Sequence, residues 1–156
     1  IMMVNWIDKM FKHSFSKEWF ETYWAFDVHG VILYPNYRKN QFHATFYPWA
    51  KEALQLISKR PDIVMIMYTS SYPAEIQYYN GVFKHFNINF RYVNENPEID
   101  TAKGNFGHYD KKFYFNVLFE DKAGFDPETE WKPIHDLMKY YEDTKYLPDS
   151  NWSTKY

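Results

Sequence analysis

The stretch WAFDVHGVIL (residues 24–33) decides the fold, because an apolar strand there meets an acid and a tight turn. Residues 22–28 are predicted to form the first strand, and Gly30 lets the chain turn shortly after Asp27. This pattern leaves one carboxylate at the carboxyl end of a buried strand, which is where open α/β sheets hold their ligands. Asp27 is therefore the first candidate functional residue.

Two further predicted strands also end in polar residues. The run DIVMIMY (62–68) is continuously apolar, which is typical of a strand buried on both faces, and TSS (69–71) follows it. The run FYFNVLF (113–119) ends at ED (120–121). Because parallel strands bring their carboxyl ends to one edge of a sheet, we expect all these polar residues to lie together.

The rest of the chain alternates between helical and extended patterns. We predict helices over 3–20, 48–59, 73–86 and 127–142, one more strand over 89–93, either a loop or a small hairpin flap over 34–47, and a loop over 94–112. This alternation predicts an α/β fold: a Rossmann-like three-layer sandwich with a mainly parallel sheet and helices on both faces. We expect a single domain over 1–156, with a leading helix within 1–20 and a C-terminal tail over 143–156.

The composition limits the class of protein. The chain has 156 residues and a formal net charge of −2, so no overall field favours nucleic acid or an acidic membrane surface. It lacks a membrane-length apolar run and a signal-peptide pattern, and its absence of cysteine excludes disulfides and cysteine-bound zinc. We therefore expect a cytoplasmic protein with no membrane partner; the sequence does not indicate its oligomeric state.

Aromatic residues make up 22% of the chain, including fifteen tyrosines and fourteen phenylalanines. Such residues fill cores, and they also supply platforms for stacking nucleobases. No basic stripe accompanies them, which favours the core. Five histidines show no metal-ligand spacing and are interpreted as structural or surface residues: His13, His43, His85, His108 and His135.

Taken in order, the motifs resemble the haloacid dehalogenase-like (HAD) phosphohydrolase superfamily. That family begins with an apolar strand followed by Asp-x-Asp-Gly, which DVHG (27–30) matches except for His29 in place of the second Asp. Its second motif, an apolar strand ending in Thr or Ser, is matched at Thr69. Its third is a lysine, matched best by Lys112, and its fourth is an acidic group, matched by Glu120, Asp121 and Asp126.

The resemblance implies a Mg²⁺-dependent phosphatase that acts through an aspartyl-phosphate on Asp27. The ion would be held by Asp27, Asp121, Asp126 and the backbone carbonyl of His29, with Glu120 as the alternative to Asp126. The transferring phosphoryl group would be bound by Thr69, Ser70, Lys112 and the amides that open the following helix.

His29 stands where the family has its general acid and base. An imidazole titrates near neutrality and is able to perform both proton transfers, although it is longer than Asp and a poorer ligand for a hard metal. We expect hydrolysis to be preserved with a shifted pH optimum; the alternative is slow release of the phosphoryl group from Asp27.

Each of these residues also has a purely structural interpretation. Asp27 and Asp126 are residue types that form turns and caps, and residues 69–71 are typical of a helix N-cap. Lys112 is adjacent to Lys111, and exposed lysine pairs are usually solvated. The sequence does not tell which of the two contacts phosphate.

The intervals between the motifs hold little more than one helix and one strand each, so no large cap domain fits. The resemblance is therefore to a capless member with an open site, and we expect a nucleotide or polynucleotide phosphate as substrate. The flap aromatics that would stack on a base are Tyr34, Tyr37, Phe42, Phe46 and Tyr47. The alternatives are a catalytically weak phosphoryl-binding or regulatory module, and a phosphoprotein phosphatase that docks its partner on Tyr146, Trp152 and Tyr156.

Overall fold

Residues 5–36, 42–99 and 112–144 are described by the structure, a computed structural model, and within them four strands form one parallel sheet. The strands are β1 (Thr22–Phe26), β2 (Ile63–Met67), β3 (Tyr92–Val93) and β4 (Val117–Phe119). Their order across the sheet is β3-β2-β1-β4. The central strands β1 and β2 are buried at every position, which confirms the apolar patterns that predicted them.

Helices precede, connect and follow these strands. They are α1 (Asn5–Ser16), α2 (Ala50–Ser58), α3 (Pro73–His85) and α4 (Trp131–Asp143), and a 3₁₀ turn (Asp121–Ala123) follows β4. The predicted α/β fold, Rossmann-like with a parallel sheet, is confirmed, and the described connections contain no large cap. None of the described helices has the length and apolar character needed to cross a membrane.

The two faces of the sheet are covered differently. Trp24 and Phe26 face the main core, which includes buried residues of all four helices. The opposite face carries Tyr23, Val64 and Ile66, and the described residues that cover it are Ile99, Phe113 and Tyr114. Helices were predicted on both faces of the sheet. As far as the structure describes it, the second face is instead covered by the connection between β3 and β4.

The fourth strand is shorter than the predicted range 113–119. Asn116 explains the difference, because its side-chain Oδ1 accepts the N–H of Tyr23 at 2.7 Å while its own N–H bonds the Tyr23 carbonyl at 2.7 Å. The side chain thus takes the place of a ladder partner, and Phe113 and Tyr114 pack over the second face instead. The strand predicted over 89–93 is likewise reduced to β3.

The flap predicted over 34–47 is a hairpin at its base. Leu33 forms an antiparallel bridge with Phe46, and the N–H of Tyr34 bonds the carbonyl of Thr45 at 2.9 Å. Its tip over 37–41 lies outside the described residues, as do Lys111 and the predicted tail from 145 onward.

Candidate functional site

Three acidic side chains meet at the carboxyl edge of the sheet. Asp27 directly follows β1, and Glu120 and Asp121 directly follow the neighbouring β4. Carboxylate oxygens of the three lie within 4.8 Å of one another. The chain leaves β1 toward β2 on one side and returns to β4 on the other, so this is the topological switch point where α/β sheets bind ligands.

The backbone fixes Asp27 in this group. Its N–H continues the ladder to the carbonyl of Phe119 at 3.0 Å, and its Oδ1 accepts the N–H of Val28 at 2.9 Å. Burial raises the pKa of Asp27 above its ordinary value. Burial, a hydrogen bond with Asp121 and repulsion from Asp27 together raise the pKa of Glu120 to about 7. The cluster therefore disfavours three simultaneous negative charges.

Gly30 closes the other side of the cluster. It adopts φ +81°, and a β-carbon at this position would lie 2.9 Å from Oδ2 of Asp121. The backbone turn thus forms a cradle that a larger residue would fill. A divalent cation fits such a site, since clustered carboxylate oxygens are the donors that Mg²⁺ prefers and a cation would relieve their mutual repulsion. Asp27 and Asp121, with Glu120 beside them, are the residues that would hold it.

His29 lies in the turn between Asp27 and Gly30, and its carbonyl and ring nitrogens form no hydrogen bond with the described residues. The carbonyl of Val28 accepts the N–H groups of Ile32 and Leu33, while the carbonyl of His29 accepts no hydrogen bond from the described residues. Both imidazole nitrogens of His29 are shielded from solvent, and neither finds a hydrogen-bond partner in the described chain. The ring lies edge-to-face on Tyr79 at 5.1 Å. Its proton-exchanging atoms are therefore not committed to a structural bond.

Thr69 is held by Asn94, which is not among the predicted site residues. The side-chain amide of Asn94, which directly follows β3, accepts the N–H of Thr69 at 2.9 Å and donates to the Thr69 carbonyl at 2.8 Å. Asn94 itself has φ 55°. A polar residue after a third parallel strand was the available signal, because Asn94 follows β3 at the same edge of the sheet where Thr69 follows β2.

The amides between β2 and α3 are largely occupied. The N–H of Ser71 bonds the Thr69 hydroxyl at 3.1 Å, and the N–H of Tyr72 bonds the carboxylate of Glu75 at 3.1 Å. Ser70 is exposed, and its N–H has no partner within the described residues. Of the predicted phosphoryl-binding groups in this loop, Ser70 is thus the one with a backbone donor to spare.

Lys112 directly precedes Phe113, a residue whose ring lies near the same edge. Phe113 contacts the ring of Tyr68 at 5.9 Å, and Tyr68 directly follows β2 beside Asp27. Lys112 is exposed and makes no ion pair among the residues that the structure describes. Its ammonium is therefore not held by a described carboxylate, whereas Lys111 lies outside the described residues.

Asp126 is not brought into the acidic group. Its Oδ1 accepts the N–H of Glu128 at 3.0 Å, and its Oδ2 accepts the hydroxyl of Thr129 at 2.9 Å. The side chain stabilises the turn that leads into α4, which is the structural role that its sequence context also allowed. The acids that the structure gathers are Asp27, Asp121 and Glu120.

Comparisons with known proteins support the fold. The sequence matches no protein-family model and no curated protein. The chain is similar to the solved structure of a conserved protein coded by a locus of Bacteroides thetaiotaomicron, with a TM-score of 0.57 and 18% identity over 83% of this chain and 96% of that chain. At this identity, the likeness shows a shared fold and no more.

Proposed function

We propose that this protein is a Mg²⁺-dependent phosphatase that acts through an aspartyl-phosphate on Asp27, with a nucleotide or polynucleotide phosphate as substrate. The observation that carries the proposal is the meeting of Asp27, Glu120 and Asp121 within 4.8 Å at the switch point of the sheet. The order of these residues and of Thr69 and Lys112 along the chain, which resembles that of HAD phosphohydrolases, supports it.

The first half of the reaction transfers the phosphoryl group to the protein. A carboxylate oxygen of Asp27 attacks phosphorus, the bond from phosphorus to the ester oxygen breaks, and the ester oxygen takes a proton from the imidazolium of His29. When bound, the cation supplies positive charge that offsets repulsion between the carboxylates and the phosphate dianion. Lys112 and the N–H of Ser70 offset the remaining negative charge on the phosphoryl oxygens.

The second half regenerates Asp27. Neutral His29 accepts a proton from water, the water oxygen attacks phosphorus, and the bond from phosphorus to Asp27 breaks, which releases inorganic phosphate and the free carboxylate. The two ring nitrogens of His29, which have no partner among the described residues, suit this role because no existing hydrogen bond has to break.

The test is hydrolysis of p-nitrophenyl phosphate with and without Mg²⁺. We expect turnover that needs the cation and that is lost in Asp27→Asn, while Glu128→Gln, a nearby exposed acid outside the cluster, keeps wild-type turnover. Turnover without a divalent cation, or turnover unchanged in Asp27→Asn, would contradict the proposal. No turnover together with Mg²⁺-dependent phosphate binding would favour the phosphoryl-binding module instead.

A further inference from the structure

Four aromatic rings form a continuous row that begins at the candidate site. His29 contacts Tyr79 at 5.1 Å, Tyr79 contacts Tyr78 at 5.4 Å, and Tyr78 contacts Phe42 at 5.4 Å. Tyr79 is 1% exposed, whereas Tyr78 and Phe42 are 37% and 43% exposed. The row therefore runs from His29 through the buried ring of Tyr79 to two solvent-exposed rings.

The two exposed rings belong to different elements that are fixed to each other. Tyr78 lies on α3 and Phe42 on the flap, and the planes of the two rings are tilted by 31°. Phe46 of the flap packs against Phe83 and Phe86, at centroid distances of 6.0 and 5.8 Å. The flap is thus anchored on α3, which holds the Phe42–Tyr78 pair in place before any ligand arrives.

The chemistry of the leaving group determines what meets this row. In the proposed reaction His29 protonates the ester oxygen, so the group attached to that oxygen starts beside the imidazole. From there the row of rings continues outward. A leaving group that extends outward along this row would contact Tyr78 and Phe42.

Resting on the phosphatase function proposed above, we propose that the leaving group is a nucleoside and that its base stacks on the Phe42–Tyr78 pair. A planar base gains stacking from exposed aromatic rings regardless of its identity, whereas a sugar or an alkyl group does not. The formal net charge of −2 gives no overall attraction for a long polyanion, which favours a mononucleotide over a polynucleotide end.

The other flap aromatics that the structure describes pack against neighbouring rings, although Tyr34 keeps 37% of its surface exposed. Tyr47 is buried against Tyr34 at 4.0 Å, and Phe46 faces α3. Among the described residues of the predicted stacking set, Phe42 is the one whose ring is exposed beside a second exposed ring that leads to the site.

The test measures equilibrium binding to Asp27→Asn, which removes the proposed nucleophile, in Mg²⁺ with adenosine 5′-monophosphate and ribose 5-phosphate as probes. We expect the nucleotide to bind about tenfold more tightly. Phe42→Leu and Tyr78→Leu should each remove most of that margin without changing ribose 5-phosphate binding. Tyr72→Leu is the matched control, because Tyr72 is exposed at the start of α3 and makes no ring contact within the described residues.

Equal binding of the two probes, or nucleotide binding unchanged in Phe42→Leu and Tyr78→Leu, would overturn the base site. A 5′-phosphorylated octanucleotide that binds more than tenfold tighter than the mononucleotide would overturn the mononucleotide assignment. These outcomes are separate from failure of the phosphatase proposal. If the wild-type protein hydrolyses p-nitrophenyl phosphate but binds the two probes equally, the phosphatase proposal stands and the base site fails. If it binds the nucleotide selectively but hydrolyses no phosphate ester, the base site stands and the phosphatase proposal fails.

Discussion

The carboxylate of Asp121 lies so close to the backbone of Gly30 that a β-carbon on Gly30 would stand 2.9 Å from Oδ2 of Asp121. Real β-carbons do not approach oxygen so closely, so a side chain at Gly30 requires Asp121 to move. The tight turn after β1 and the acid after β4 therefore depend on each other, although they are far apart in sequence.

Gly30→Ala should weaken Mg²⁺ binding about tenfold or more, because it displaces Asp121 from the acidic cluster. It should also cost about 1 kcal/mol of stability through its positive φ. Titration of Mg²⁺ against the melting temperature or by calorimetry measures both effects.

Substitutions at two other glycines separate the effect on Mg²⁺ binding from the effect on stability. Gly124→Ala has the same kind of backbone strain, at φ +109°, but its β-carbon would meet nothing within 4 Å, so it should lose stability and keep Mg²⁺ affinity. Gly81→Ala, in open space within α3, should gain up to about 1 kcal/mol. Wild-type Mg²⁺ affinity in Gly30→Ala would show that the cation site does not depend on the space that Gly30 leaves beside Asp121.

The stability of the cation-free protein should fall as pH rises from about 4.5 to about 7. Over this window folded Glu120, whose pKa is raised from 4.5 to about 7, keeps a proton that the unfolded chain releases. The native state thus binds more protons than the unfolded state, and the free energy of unfolding decreases with pH. The raised pKa of Asp27 acts in the same direction.

Melting temperatures measured in a chelator at several pH values check this prediction. We expect a decrease of a few degrees across the window, smaller in saturating Mg²⁺ and smaller in Glu120→Gln. A melting temperature that is independent of pH without cation, or an equal decrease in Glu120→Gln, would contradict the cause assigned to it.

The fold was predictable because a strand buried on both faces of a sheet requires a continuous apolar run in the sequence. The continuous apolar run that became β2 and the run that ends at Asp27 each identify a central strand, and parallel alternation then places their polar ends at one edge. The acidic pair after β4 followed from the same reasoning.

The remaining features depend on contacts between distant segments. Asn116 shortens β4 by bonding Tyr23, and Asn94 holds Thr69 across 25 positions of sequence. No local pattern specifies such pairs. The role of Asp126 was ambiguous even though its contacts are local. An aspartate is suited both to stabilising a turn and to binding a metal, so the residue type does not distinguish the two roles.

Asn94→Gly should lower kcat/KM for a phosphate ester about tenfold with little change in stability. Glycine tolerates the φ of 55° at this position, but it removes both bonds that hold the backbone of Thr69. Steady-state kinetics and a melting curve measure the two quantities. Asn87→Gly is a matched control, because Asn87 has φ 61° at the end of α3 and its side chain makes no hydrogen bond in the described part of the chain. Equal losses in the two variants would show that Thr69 does not depend on Asn94.

His29→Ala should separate the two halves of the proposed reaction. p-Nitrophenolate leaves without being protonated, so phosphorylation of Asp27 remains fast, whereas hydrolysis of the aspartyl-phosphate loses its general base and slows about 100-fold or more. Rapid mixing should then show a burst approaching one p-nitrophenol per chain, followed by slow turnover. A nucleoside monophosphate, whose ester oxygen needs a proton to leave, should give slow turnover without a burst.

His29→Asp restores a short acid at the position and should recover turnover without the burst, while Asp27→Asn should show neither burst nor turnover. Wild-type steady-state rates in His29→Ala would assign the proton transfers to another group. A burst with both substrates would mean that His29 serves only the hydrolysis of the aspartyl-phosphate, and the inference that the leaving group starts beside its imidazole would lose its support.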